Sequence, residues 1–231
     1  MTHRIITGCL LSLFATIATA AEPSLAWKVV PLAIDANEGI DIADFNGDGK
    51  LDVAAGRFWY QNPGFRPRPL RHFDDVNGYV QSNGDFAYDV DLDGLMDVIA
   101  GGFFATEVNW YKNPGKEGLR LGHQWKQQLL LDTEISQNEG QLLEDLNGDG
   151  KPEWIVNTWA KDAPIYVYEL TTTKKLVEVT KGGKSQQVEQ QVPSLRKNLV
   201  GLRGNGHGMG VGDINGDGYS DLLLGHGWYQ N

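Results

Sequence analysis

The chain is poor in cysteine, and Cys9 is the single one among its 231 residues. Cys9 lies in an apolar N-terminal stretch that follows Arg4 and ends in small residues at Ala20, which is typical of an export signal. The sequence therefore predicts a signal peptide over residues 1–20, cleaved after Ala20, and a secreted or periplasmic protein. Without Cys9 the mature chain can form neither a disulfide nor a cysteine-bound zinc site. A lipoprotein signal is disfavoured because ITGC precedes most of the apolar run.

Basic residues and long apolar runs are also scarce. Lys and Arg total 20 against 30 Asp and Glu, and this net charge of −10 disfavours nucleic acid as a partner. The N-terminal apolar run is too short to cross a bilayer, so we expect no membrane span after signal removal. No GxSxG, HExxH or P-loop motif occurs. Glycine is abundant instead, with 29 residues, which favours many short strands joined by tight turns.

One acidic pattern of nine residues occurs four times, at 44–52 (loop 1), 89–97 (loop 2), 145–153 (loop 3) and 213–221 (loop 4). Positions 1 and 5 are Asp, position 3 is Asn or Asp, position 6 is Gly, and position 9 is Asp or Glu. The loops hold 13 of the 30 acidic side chains. The candidate metal ligands are Asp44, Asn46, Asp48, Asp52, Asp89, Asp91, Asp93, Asp97, Asp145, Asn147, Asp149, Glu153, Asp213, Asn215, Asp217 and Asp221.

The donors of these loops suit a hard cation. Oxygens at positions 1, 3 and 5 can surround one ion, and glycine at position 6 lets the loop fold back. Calcium accepts several oxygens in irregular geometry, whereas magnesium needs an octahedral cage and zinc prefers His or Cys. Asp, Asn and Gly also form ordinary turns without an ion, but so many carboxylates within nine residues repel one another. The sequence predicts up to four Ca²⁺ sites.

The loops do not match an EF-hand, which needs a glutamate at position 12 and a helix on each side. Position 12 is apolar in all four loops, and each loop runs into a short apolar segment such as LDVAAG, which is typical of a buried strand. The loops start 45, 56 and 68 residues apart, a spacing that suits propeller blades of about four strands. The sequence thus favours an all-β fold.

The repeats resemble the FG-GAP/VCBS repeat family, above all in DIADFNGDGKLDVAAG and GVGDINGDGYSDLLLG. The resemblance covers about residues 27–231. It implies a β-propeller with calcium loops, as in secreted bacterial proteins and integrin α-subunit heads, over the mature chain, residues 21–231. In that family each loop joins the innermost strand of a blade to the second strand, so the four DxNxDGxxD repeats imply four blades.

Segments outside the loops predict the remaining strands. FWYQNPG, NWYKNPG and GWYQN predict a Trp-Tyr strand in the blade, and AWKVVPLAID is similar to QWKQQLLLD, which predicts an outer strand near the N-terminus. Two interpretations stay open: this strand completes the last of four blades, or the chain is part of a larger propeller of about six to eight blades. An insertion at about 171–200, rich in Lys and Gln, is predicted as an outer strand followed by an exposed loop.

The start of each inner strand carries a polar residue followed by glycine, six positions before the loop aspartate: Glu38, Asn83, Glu139 and His207. In a propeller these side chains would meet at one mouth of the central channel, opposite the calcium loops. The next strand ends would bring further side chains to the same face: Arg57, Phe103, Phe104, Trp159 and His226. Polar groups beside aromatic rings suit a sugar, whose hydroxyls form hydrogen bonds while its C–H faces stack on the rings.

Three interpretations of the four polar residues stay open. They cap strand ends beside water, they bind a ligand, or they form an active site with Glu38 or Glu139 as base and His207 as acid or metal ligand. Similar propellers include polysaccharide lyases and sugar dehydratase-isomerases, although fold alone does not fix function. The sequence favours a monomeric, calcium-binding scaffold or binding module for carbohydrate or an extracellular protein. A sugar-active enzyme is the alternative.

Overall fold

The structure is a computed structural model and describes residues 25–32, 35–160, 162–204 and 206–231. The predicted signal peptide over residues 1–20 lies outside the described residues. The chain divides into two units, Met1–Pro31 and Leu32–Asn231. In the part of the chain that the structure describes, no helix is both long and apolar enough to cross a membrane.

The described part of the first unit has no regular structure. Residues 25–31 form neither helix nor strand, and the side chains of Leu25, Trp27 and Val29 are exposed. The outer strand predicted from AWKVVPLAID is therefore not formed over residues 25–31.

The second unit consists almost entirely of antiparallel sheets. The first sheet contains β1 (Ile40–Ala43), β2 (Asp52–Ala55), β3 (Phe58–Gln61) and β4 (Arg66–Pro69), and a small hairpin follows with β5 (Asp75–Val76) and β6 (Tyr79–Val80). The second sheet contains β7 (Gly84–Tyr88), β8 (Asp97–Gly101), β9 (Glu107–Lys112) and β10 (Lys126–Asp132), with helix α1 (Gly115–Leu121) before β10. The third sheet contains β11 (Asn138–Glu144), β12 (Glu153–Thr158), β13 (Ile165–Lys181) and β14 (Lys184–Gly201). The fourth sheet contains β15 (Met209–Gly212), β16 (Asp221–Leu224) and β17 (Gly227–Tyr229).

All four sheets are built on the same plan. Strands that are neighbours in sequence pair with each other, and each acidic loop joins the first strand of a sheet to the second. The second strands are mostly apolar and mostly buried, and in β8 all five residues are buried. The prediction of an all-β fold with a strand on each side of every loop is confirmed.

Apolar side chains pack between consecutive sheets. One buried cluster joins the first and second sheets around Trp59 and Val98, and another joins the second and third sheets around Ile99 and Trp154. A third cluster joins the third and fourth sheets around Leu222. Neighbouring residues of a strand point to opposite faces, so Val98 and Ile99 allow β8 to serve two clusters at once.

The insertion at 171–200 belongs to a β-hairpin: the predicted outer strand is present, but a second strand takes the place of the predicted exposed loop. Strands β13 and β14 pair along their whole length, as far as Lys181 opposite Lys184. Valines alternate with polar residues in the distal part, a period that suits strands. Gly182 and Gly183 both have positive φ, at 59° and 77°, as the tight hairpin turn requires.

A buried ion pair links the first two sheets. The side chains of Arg71 and Asp85 are 1% and 0% exposed, and the guanidinium donates a hydrogen bond to the carboxylate. Arg71 also donates to the carbonyl of Gly56 at 2.8 Å and to Ser82 Oγ at 3.1 Å. Its charged group lies 4.6 Å from the ring centre of Tyr111. These contacts fix the position of the connection between β4 and β5 against β7.

Replacing Arg71 by Met should lower the free energy of unfolding by about 3–5 kcal/mol, because it leaves the carboxylate of Asp85 buried without its positive partner. Urea unfolding measures the change. Arg120→Met is the control, since the pair of Arg120 with Glu117 is exposed and should contribute little. Equal midpoints for the two variants would show that the buried pair does not hold the sheets together.

Candidate functional site

The acidic loops fold around the carboxylate at position 1. In loop 1, Asp44 Oδ1 accepts hydrogen bonds from the backbone N–H groups of Gly47 at 2.8 Å and Asp48 at 3.1 Å. Its Oδ2 accepts from Gly49 N–H at 2.8 Å. Asp213 of loop 4 repeats all three bonds. The aspartate thus closes the loop and holds the side chains of positions 3 and 5 nearby.

Positions 4 and 6 of each loop both have a left-handed backbone. The sequence predicted this for the glycine at position 6 but not for position 4, where φ is 71° at Gly47, 74° at Gly148 and 78° at Gly216. Loop 2 has Leu92 at this position, with φ of 59°. Glycine at position 4 in three loops was the signal for this conformation. Leu92 carries the steric cost that glycine avoids.

The carboxylate at position 9 is buried in all four loops. Asp52 Oδ2 accepts from Phe45 N–H at 3.3 Å, and its Oδ1 accepts from Asn62 N–H at 2.8 Å. Asp97 and Asp221 have the same two kinds of donor. Position 9 therefore connects the loop to the asparagine that ends the Trp-Tyr segment, which explains why WYQN or WYKN accompanies these loops.

Burial also raises the pKa of acids at position 9. Burial raises the pKa of Asp97 to about 7, although hydrogen bonds from backbone N–H groups oppose the rise. Burial raises the pKa of Asp52 and of Glu153 as well, and neighbouring loop carboxylates add to it. A cation among these carboxylates would favour their charged forms and would oppose both effects.

The loop side chains fit a calcium ion. Carboxylate oxygens of Asp89, Asp91 and Asp97 lie within 4.8 Å of one another, close enough to share one ion. Positions 1, 3, 5 and 9 offer carboxylates and amides and include no His or Cys. Hard oxygen donors in this number suit calcium and do not suit zinc.

Loop 2 also contains a basic partner. Lys112 Nζ donates a hydrogen bond to Asp91 and another to Asp93 Oδ2 at 2.7 Å. The bond from Lys112 lowers the pKa of Asp93. Burial lowers the pKa of Lys112, but its bonds with the two aspartates outweigh burial and raise the pKa overall.

A cavity of about 290 Å³, the polar pocket, lies at the other end of the inner strands. Its lining includes six of the residues that the sequence predicted for the channel mouth: Glu38, Asn83, Phe103, Phe104, Glu139 and Trp159. Further lining residues come from the small hairpin and the chain after it, namely Tyr79, Val80, Gln81 and Ser82. No repeat marks that hairpin, so its contribution was missed in the sequence.

Aromatic rings form one wall of the polar pocket. The ring centres of Phe103 and Trp159 are 5.4 Å apart, and those of Phe103 and Phe104 are 5.0 Å apart, in edge-to-face geometry. His207 lies beside this wall, with its ring 4.3 Å from Trp159 and its Nδ1 3.7 Å from Glu139 Oε1. Trp159 is 43% exposed and Phe104 46%, so both rings have faces open to a ligand.

The predicted polar residues differ in how they are held. Asn83 Oδ1 accepts from Gln141 Nε2 at 2.7 Å, and Asn83 Nδ2 donates to the carbonyl of Asn138, so Asn83 links the second and third sheets. Glu38 is exposed, and its backbone N–H donates to the carbonyl of Ser82 at 3.0 Å. Asn83 is therefore fixed by the fold, whereas Glu38 faces solvent.

Arg57, His207 and His226 do not line the polar pocket, although the sequence placed them at the same mouth. Arg57 forms ion pairs with Asp35, at 2.5 Å, and with Asp75. His226 is exposed and stacks edge-to-face on Tyr229, with ring centres 6.2 Å apart. Arg57 and His226 thus contact partners outside the polar pocket.

Comparison with known proteins identifies residues 205–230, which include loop 4, as an FG-GAP repeat. The resemblance to the FG-GAP family seen in the sequence is thus confirmed for the last repeat. Two solved structures are similar to the chain at 19% identity: the V. cholerae biofilm matrix protein Bap1, with a TM-score of 0.46 over 87% of this chain and 30% of that one, and an Agrocybe aegerita lectin specific for non-reducing terminal N-acetylglucosamine, with a TM-score of 0.44 over 80% and 46%. The chain spans less than half the length of either protein. No curated protein matches the sequence.

Replacing Leu92 by Gly should raise the free energy of unfolding by about 1 kcal/mol, because glycine adopts the left-handed backbone without a steric penalty. Little burial is lost, since Leu92 is 76% exposed. Thermal unfolding in EGTA measures the change without any contribution from calcium.

The matched control is Gly47→Leu in loop 1, which should lower the stability by a similar amount. A Cβ atom at Gly47 would meet no atom within 4 Å, so backbone conformation alone would cause the loss. A Leu92→Gly protein that unfolds at a lower temperature than the natural chain would refute this account of position 4.

Proposed function

We propose that this chain is a calcium-stabilised β-propeller module of an exported protein and that it binds carbohydrate in the polar pocket. The propeller is supported by four consecutive sheets of one plan that pack through shared apolar clusters, together with the FG-GAP repeat at 205–230. Export is inferred from the signal sequence over residues 1–20.

Calcium is inferred from the four acidic loops. Asp44, Asn46, Asp48 and Asp52 of loop 1 would hold the ion, and the corresponding side chains would do so in the other loops. A bound ion neutralises carboxylates that otherwise repel one another beside a buried acid. Its effect in this fold is structural, because the loops join the first two strands of every sheet.

The single observation that carries the carbohydrate function is the composition of the polar pocket. The lining combines two carboxylates and two amides with a wall of aromatic rings, and the outer rings of that wall are partly exposed. Sugar hydroxyls donate to carboxylates such as Glu38 and Glu139, while sugar C–H faces stack on rings such as Trp159. The volume of about 290 Å³ suits a chain end or a short sugar segment.

The charge of the polar pocket favours neutral or amino sugars over uronic acids. Its described lining contains Glu38 and Glu139 and neither Lys nor Arg. A lyase that eliminates beside a uronic acid must neutralise the substrate carboxylate, which needs positive groups. Arg57 is paired with Asp35 and Asp75 and does not supply this charge. These contacts support a binding module over the sugar-active enzyme.

Calcium should raise the melting temperature of the full chain, and magnesium should raise it less, because the loops suit a larger and less regular oxygen cage. A saturated site contributes about 2.7 kcal/mol when free calcium is a hundredfold above its Kd. Asp48→Ala and Asp149→Ala should each remove part of the gain. Asp74→Ala, on an exposed residue outside the loops, is the control. The metal assignment is wrong if chelation leaves the melting curve unchanged.

Glu139→Gln and Trp159→Ala should each weaken the same glycan by about ten- to a hundredfold, since each removes one half of the proposed contact. Calorimetry with chitin-, cellulose- and pectin-derived oligosaccharides measures the affinity, and chromatography of the mixtures tests for new products. His226→Ala is the control outside the polar pocket. Unchanged binding in both pocket variants would end the carbohydrate proposal, and an unsaturated sugar product would replace it with a lyase.

A further inference from the structure

In each of the four sheets, one side chain in the third strand, or just after it, lies beside the acidic loop. The register defines this residue, because Tyr60, Tyr111, Tyr168 and Tyr229 each pair with the residue that follows position 9. The residue after the tyrosine is Gln61, Lys112, Glu169 or Gln230. We call it the facing residue. Its charge differs among the repeats, although the loops themselves are closely alike.

Contacts in two sheets show that the facing residue reaches the candidate ion ligands. Lys112 donates to Asp91 at position 3 and to Asp93 at position 5 of loop 2. Gln230 donates to Asp217, also at position 5 of its loop, at 3.4 Å. The facing residue thus contacts the position 5 aspartate in both loops. It does so with an ammonium group in loop 2 and with a neutral amide in loop 4.

The lysine coincides with an additional carboxylate in its loop. Position 3 is asparagine in loops 1, 3 and 4 but Asp91 in loop 2. Loop 2 therefore has four acids where the others have three, and one positive charge at Lys112 offsets the extra negative one. Side chains of Lys112, Asp91 and Asp93 are 32%, 26% and 34% exposed, so this attraction is only partly screened by solvent.

The charged facing residue of loop 3 makes a different contact. Glu169 pairs with Arg196 and accepts a hydrogen bond from Asn198 Nδ2 at 2.6 Å, both within its own sheet. The two charged facing residues, Lys112 and Glu169, thus differ. In the described part of the chain, Lys112 forms ion pairs with acids of its own loop, and Glu169 forms one with Arg196 of its own sheet. An ammonium on two candidate ligands repels a divalent ion and occupies oxygens that the ion needs.

We propose that Lys112 is a built-in cation of loop 2, which orders this loop without calcium and makes it the weakest of the four calcium sites. The inference rests on the proposed calcium function of the other loops. It divides the loops into three that depend on calcium in solution and one that carries its own counter-charge. The second sheet would then keep its loop when calcium is low.

The test is calcium titration of the full chain by calorimetry, with melting curves in EGTA. The natural chain should bind three calcium ions tightly, and Lys112→Gln should add a fourth by strengthening loop 2 at least tenfold. In EGTA the Lys112→Gln protein should melt at a lower temperature, because its four loop acids lose their cation. Gln230→Lys is the reciprocal variant and should weaken calcium at loop 4.

A double variant, Asp91→Asn with Lys112→Gln, keeps the inference testable if the Lys112→Gln protein fails to fold. It gives loop 2 the ligand types and the facing glutamine of loop 1, and it should bind four ions tightly. If the natural chain binds four ions alike and Lys112→Gln changes neither affinity nor melting, the inference is overturned while the calcium function stands. If no variant binds calcium at any loop, the calcium function and the inference both fail.

Discussion

The buried carboxylate at position 9 is the constraint on which the rest of this structure depends. In three of the loops it accepts one hydrogen bond from the start of the loop and one from the end of the Trp-Tyr segment, while its own residue begins the second strand. One acid therefore fixes three parts of each of these sheets. An ionised group without solvent is costly unless it is fully paired, so the start of the loop and the end of the Trp-Tyr segment must both lie beside it. The position of the loop against the sheet is a consequence of that pairing.

The same segment also connects neighbouring sheets. The backbone N–H of Asn113 donates to Asp97, the buried acid of its own sheet, while its side-chain Nδ2 donates to the carbonyl of Phe45 in loop 1 at 2.8 Å. Asn231 makes the same link to Leu146 of loop 3 at 2.8 Å. The loops thus form hydrogen-bonded joints between neighbouring sheets at one end of the inner strands. The polar pocket lies at the other end. Cations at the joints would hold the strands that position the pocket residues.

The repeats explain why much of this arrangement could be predicted from the sequence. Four copies of one pattern predict four loops with their flanking strands, and equal positions in the copies predict that Glu38, Asn83 and Glu139 lie together. Prediction failed where no repeat gives information. The direction of Arg57 depends on its ion pairs with local acids, and the insertion pairs as a hairpin because its valines alternate with polar residues. Such contacts depend on single neighbours and leave no period in the sequence.

Differences among the repeats indicate where function was added to the scaffold. The buried acid and the left-handed glycine at position 6 are present in every loop, because closure of the loop requires both. The facing residues vary in charge from glutamate to lysine, and the residues that begin the inner strands vary from Glu and Asn to His. Neither group is needed to pair the strands, so each is free to change from one sheet to the next. Repetition of one sheet plan thus allows the residues that begin the inner strands and the facing residues to change from one sheet to the next without altering the fold.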